Sequence, residues 1–141
     1  MTRIRQIHER LQSAKGLAAV LDAAHDAFEE MLVVIRAHED PADGIFVPLV
    51  MAAASAAEGR NAITFAPSLP PRRLHAAPRA EEPGDAGAKA FTAELAALSE
   101  LLAARLTEAA RSAPDHADQA ACRDAARSAR NIQALLTGSR P

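Results

Sequence analysis

Apolar residues recur at alternating spacings of three and four from Ile4 to Ile35, through Ile7, Leu11, Ala14, Ala18, Leu21, Phe28 and Leu32, with His25 the one polar member of the series. This period puts the whole series on one helix face and predicts a single long helix over residues 3–38. At 1.5 Å per residue it would run roughly 50 Å, beyond ordinary globular length. Up to Ser13 the flanking positions are polar (Arg3, Gln6, Arg10), whereas after Gly16 they turn apolar (Leu17, Val20, Ala24, Ala27, Met31, Val34). The first part therefore suits a single neighbour and the second a bundle. Gly16 falls opposite the seam, where glycine costs a helix up to about 1 kcal/mol relative to alanine and invites a bend.

"HEDPADG", residues 38–44, ends this helix and starts the next, with Asp40 or Asp43 as N-cap and Pro41 in the first turn. So short a turn predicts two antiparallel helices. The second, over 42–58, contains "IFVPLVMAAASAA", which has no charge and one hydroxyl. Pro48 removes one hydrogen bond near its start and predicts a kink or a late start. A helix apolar all round must be covered all round.

Residues 61–85 contain Pro67, Pro70, Pro71, Pro78 and Pro83 without helical period, and read as a long connection. "NAITFAPSL" carries Ile63, Phe65 and Leu69 and is expected to dock, whereas "PPRRLHAAPRAEEPGD" is polar and predicts a mobile stretch. A third helix is predicted over 86–111, with Phe91, Leu95, Leu98, Leu102, Leu106 and Ala109 on one stripe. "SAPD", residues 112–115, has capping-box spacing and opens a fourth helix over 114–137, whose inner stripe is Ala117, Ala121, Ala125, Ser128, Ile132 and Leu135. The pattern predicts an all-α, four-helix-bundle-like single domain over 1–141, with a long first helix, a very apolar second helix and a Pro-rich connection before the last two.

Composition narrows the function classes. A formal net charge of −2 without a basic arm argues against nucleic acid or a membrane surface as partner. Cys122 is the only cysteine, and Met1 is followed by charged sequence without an apolar signal region, so a cytoplasmic location is expected. Abundant alanine and arginine with scarce lysine match GC-rich codons and a bacterial source. Absence of Trp and Tyr leaves few aromatic anchors for a ligand.

Candidate chemistry is sparse. His25 has Asp22 three residues before it and Glu29 four after it, an arrangement that could hold a metal or orient a base. A di-iron bundle needs more carboxylate–histidine pairs than this, and a core-edge histidine bonded to a carboxylate explains it as well. His38, Glu39, Asp40 and Asp43 could likewise bind a cation, but capping accounts for them. Arg123, Arg127 and Arg130 form a stripe that could hold phosphate, diluted by Asp118 and Asp124. "APSLPPRR" has the spacing of a polyproline ligand, which a stiff connector shares. Cys122 and His116 lie on different sides of their helix and form no nucleophile–base pair.

The expected function is therefore non-enzymatic: self-association as a homodimer through Val47, Met51, Ile4, Ile7 and Leu11, and interaction with another protein, with no cofactor. The alternative is a bundle that binds a metal or small molecule near His25, Asp22 and Glu29.

Overall fold

Gly16 has φ +87° and ψ 156°, a conformation outside the helical region that L side chains rarely adopt. The heptad seam is divided there into α1 (Arg3–Ser13) and α2 (Leu17–Ala37). The computed structural model describes residues 2–38, 44, 46–71 and 88–138.

The first helix folds back along the second. Arg10 pairs with both Asp22 and Asp26, and Arg3 Nε lies 3.9 Å from Glu30, so rising positions in α1 meet falling positions in α2. The expected single helix over 3–38 is thus an antiparallel hairpin. Ile4, Ile7 and Leu11, expected at a subunit interface, are 5%, 3% and 0% exposed within the chain itself. Burying each such side chain contributes about 1.5–3 kcal/mol, more than a break at glycine costs. Arg105, from a helix later in the chain, donates to the carbonyl of Ala14, which the break leaves without a helical donor.

The next helix, α3 (Phe46–Thr64), starts later and ends later than the expected 42–58. Pro48 is its third residue, in the first turn, where backbone N–H groups have no helical acceptor and proline removes nothing. Gly59 does not end it, and Asn61–Thr64 of the expected connection are helical. Residues 39–43, with their expected caps, and the polar connection at 72–85 lie outside the described residues.

The last two helices are α4 (Ala88–Ser112) and α5 (His116–Thr137). Phe91, Leu95, Leu98, Leu102, Leu106 and Ala109 of α4 are all buried, as their period predicts. The cap of α5 is Asp115, which accepts from the amides of Ala117 and Asp118, while Ser112 remains in α4. On α5 the buried face is Asp118, Ala121, Cys122, Ala125, Ala126, Ser128, Ala129 and Ile132; Ala117, expected inside, is exposed. These small side chains allow close approach, and the most extensive helix contacts are those of α5 with α4 and α3.

Pairings across the helices fix the topology. Glu29 meets Arg60 between α2 and α3, while Thr107 meets Arg130 and Ala113 meets Gln119 between antiparallel α4 and α5. Ser55 meets Asn131, and Ser68 meets Asp118, between antiparallel α3 and α5. Arg5 with Glu94, and Ala14 with Arg105, align α1 parallel to α4. The bundle is a ring in the order α2, α3, α5, α4, with α1 lying over the α2–α4 edge. α3 and α4 run in the same direction on diagonal corners of this ring.

Candidate interaction surface

Sitting in the ring between α2 and α5, α3 has no helix over its outer side among the described residues. Val47 is 63% exposed, Met51 51% and Val50 41%, and Ala54 is exposed beside them. The opposite side holds Leu49, Ala52, Ala56, Gly59 and Ile63, all buried. Val47, Met51, Ala54, Glu58, Asn61 and Phe65 continue the outer stripe at spacings of four and three, and each is exposed. Its first half is wholly apolar. Phe65, expected to dock with the connection, is 82% exposed at the far end. Continuing the helix to Thr64 gives the buried position to Ile63 and turns its neighbour outward.

Beyond Phe65 the chain returns to the body. The amide of Ala66 bonds the carbonyl of Ile63 (2.9 Å), and that of Leu69 bonds the carbonyl of Ala66 (3.1 Å). Ala66–Leu69 is therefore folded into a turn and not the extended form of a polyproline ligand, while Arg72 and Arg73 of that stretch lie outside the described residues. Its anchor is Asp118, 1% exposed, whose Oδ1 accepts from the Ser68 amide (3.0 Å) and Oδ2 from the Ser68 hydroxyl (2.6 Å). No local pattern marks this pair.

His25 is half-buried on α2, but Asp22 is held by Arg10 of α1, whereas Glu29 Oε1 lies 3.2 Å from Nη1 of Arg60 on α3. The two carboxylates are drawn to different helices. Among the described residues no group of three His, Cys, Asp or Glu is placed to hold a metal ion. His38 stacks on Phe91 at 4.0 Å between ring centroids and shares a 2.9 Å hydrogen bond with the Val34 carbonyl, closing the C-terminal end of α2.

Cys122 is fully buried. Burial first, then the charge of Asp118, pushes its thiol up to about 11, so it is protonated at neutral pH and a poor nucleophile. His116 is exposed, away from it. Burial also raises Glu30 above the usual carboxylate value, partly offset by Arg3.

No family model matches the chain, and neither a curated protein nor a solved structure matches it significantly. Among the described residues no helix is long and apolar enough to cross a membrane.

Proposed function

We propose that this chain is a non-enzymatic association module that works as a reversible homodimer through the outer stripe of α3. The carrying observation is the exposure of Val47, Val50 and Met51 on a helix that has no charge before Glu58. A two-fold contact brings every charge at its centre against an identical one, so an uncharged stripe is what such a contact requires. An antiparallel crossing at Val50 and Met51 sets Val47 of one copy against Ala54 of the other, large against small.

Magnitude argues for a weak dimer. The exposed area of Val47, Val50 and Met51 amounts to about one and a half side chains per copy, or roughly 5–9 kcal/mol for two copies. Association costs about 4–15 kcal/mol in lost freedom, so the stripe alone supports only concentration-dependent pairing. Another protein presenting an apolar helix is the competing occupant.

Light scattering across a concentration series tests the proposal. The expected result is a shift from 14.8 kDa toward twice that mass, abolished by Met51→Asp or Val47→Asp with helical circular dichroism unchanged. A species that stays at 14.8 kDa at all concentrations up to about 1 mM, where pairing would be worth only about 4 kcal/mol, overturns the homodimer.

A further inference from the structure

On the side of the bundle where α4 meets α5, four arginines line one groove: Arg111 from α4, and Arg123, Arg127 and Arg130 from α5. Thr107 completes the wall, and the methyl groups of Ala110 and Ala126 make the apolar part of the lining. The groove has a volume of about 400 Å³, within the range of small-molecule sites. No carboxylate lines it. Of the two acids that would dilute the stripe, Asp118 is turned inward to Ser68 and Asp124 is not part of the lining. Glu100 and Glu108 enter in the adjoining stretch, which shares Thr107, Arg111 and Arg130 with this groove, and Glu108 there is 3.4 Å from Arg105. No described carboxylate pairs with any of the four arginines.

Like charges brought together in a concave surface repel, and they focus a positive potential into the groove. We infer that this groove is a binding site for a small anion carrying two or more linked phosphoryl groups. The planar guanidinium fork matches phosphate oxygens two at a time. A single phosphate carries about −1.5 to −2 and leaves half of four charges unmatched, whereas linked phosphoryl groups match them. From Arg123 to Arg130 the α5 stripe spans roughly 10 Å at 1.5 Å per residue, which suits a short chain of phosphates.

Two of the arginines are already positioned. Arg130 Nη1 donates to Thr107 Oγ1 across the groove at 3.3 Å, which leaves the threonine proton free to donate to a bound oxygen. Arg123 makes longer contacts to the Gln119 carbonyl (3.4 Å) and Oε1 (3.5 Å), and Gln119 is itself held by the Ala113 carbonyl at 2.6 Å. No aromatic ring lines the groove to stack on a nucleobase, so recognition stops at the phosphates.

Calorimetric titration of the full chain with tripolyphosphate, pyrophosphate and inorganic phosphate tests this. The expected result is saturable one-site binding, at least tenfold tighter for tripolyphosphate than for phosphate, weakened by added salt and no tighter for a nucleoside triphosphate. Arg127→Gln, or Arg111→Gln should the first fail to fold, lowers the affinity roughly tenfold or more, while Arg36→Gln, an exposed arginine on α2, leaves it unchanged. Absence of saturable binding, equal weakening by Arg36→Gln, or binding confined to RNA or anionic vesicles overturns the inference.

Discussion

The ring of Phe28 in α2 lies directly against the α-carbon of Gly59 in α3: a β-carbon added at Gly59 would stand 2.5 Å from Phe28 Cζ and 2.6 Å from Cε1. Phe28 is fully buried and has nowhere open to move. Alanine in place of glycine favours the helix by about 1 kcal/mol, but overpacking a fixed ring costs about 1–3 kcal/mol. Gly59→Ala is therefore expected to be net destabilising, by up to about 2 kcal/mol, in urea unfolding. Combining it with Phe28→Leu recovers part of that loss; a more stable single variant would show that the ring yields freely.

Gly16→Ala separates a hairpin from a continuous helix by its sign. In a helix interior the change would stabilise by up to about 1 kcal/mol. At φ +87° there is open space around the residue, so strain in the backbone alone decides, costing about 1–3 kcal/mol. The expected outcome is a lower thermal midpoint, and a higher one would mean that α1 and α2 run on as one helix.

Asp118→Ala removes both acceptors of Ser68 from a buried site. Hydrogen bonds to a charged group contribute about 1.5–3 kcal/mol, and the orphaned Ser68 amide adds its own penalty unless water reaches it. A loss of about 2–3 kcal/mol is expected, with faster hydrogen exchange at the Ser68 amide. Unchanged exchange there would mean that Ala66 and Leu69, packed on the core, hold the segment without Asp118.

The thiol of Cys122 gives a pH signature. Its folded value of about 11 lies above the ordinary 9.0, so between these values the folded state binds more protons than the unfolded one. Its contribution to stability is complete below pH 9 and is lost as pH rises toward 11. Relative to Cys122→Ser, the parent chain should lose stability over this window. A thiol reagent at pH 8 should modify it only in denaturant, and rapid native modification would place it at the surface.

Glu30 provides an acid-side counterpart. Burial raises its folded pKa above 4.5, so its charged form is disfavoured at neutral pH despite Arg3. Glu30→Gln is expected to match or exceed the parent in stability at pH 7, and this gain should vanish as pH falls well below 4.5, where the carboxyl is protonated in both states. A clear loss at pH 7 would show that the contact with Arg3 outweighs desolvation.

Sequence alone determined the helical class, the buried stripe from Phe91 to Ala109 in α4, and the lack of any polar side at the start of α3, because helical period and composition are local properties. It also marked Val47 and Met51, though not whether this chain covers them. Only the tertiary structure decided that the seam from Ile4 to Ile35 doubles back. A heptad seam reads the same for a straight helix as for a hairpin that breaks at Ala14–Gly16, where the structure leaves the seam position Ala18 exposed and gives the Ala14 carbonyl a distant partner, Arg105. The same holds for Asp22 and Glu29, close in sequence yet drawn apart by arginines on α1 and α3. It holds too for Asp118 and Ser68, 50 residues apart, and for Arg111, which joins the α5 arginines only when α4 lies beside them. Local pattern fixes which side of a helix is apolar; which helix covers that side, and which charges then meet, is settled by packing between segments that the chain brings together only on folding.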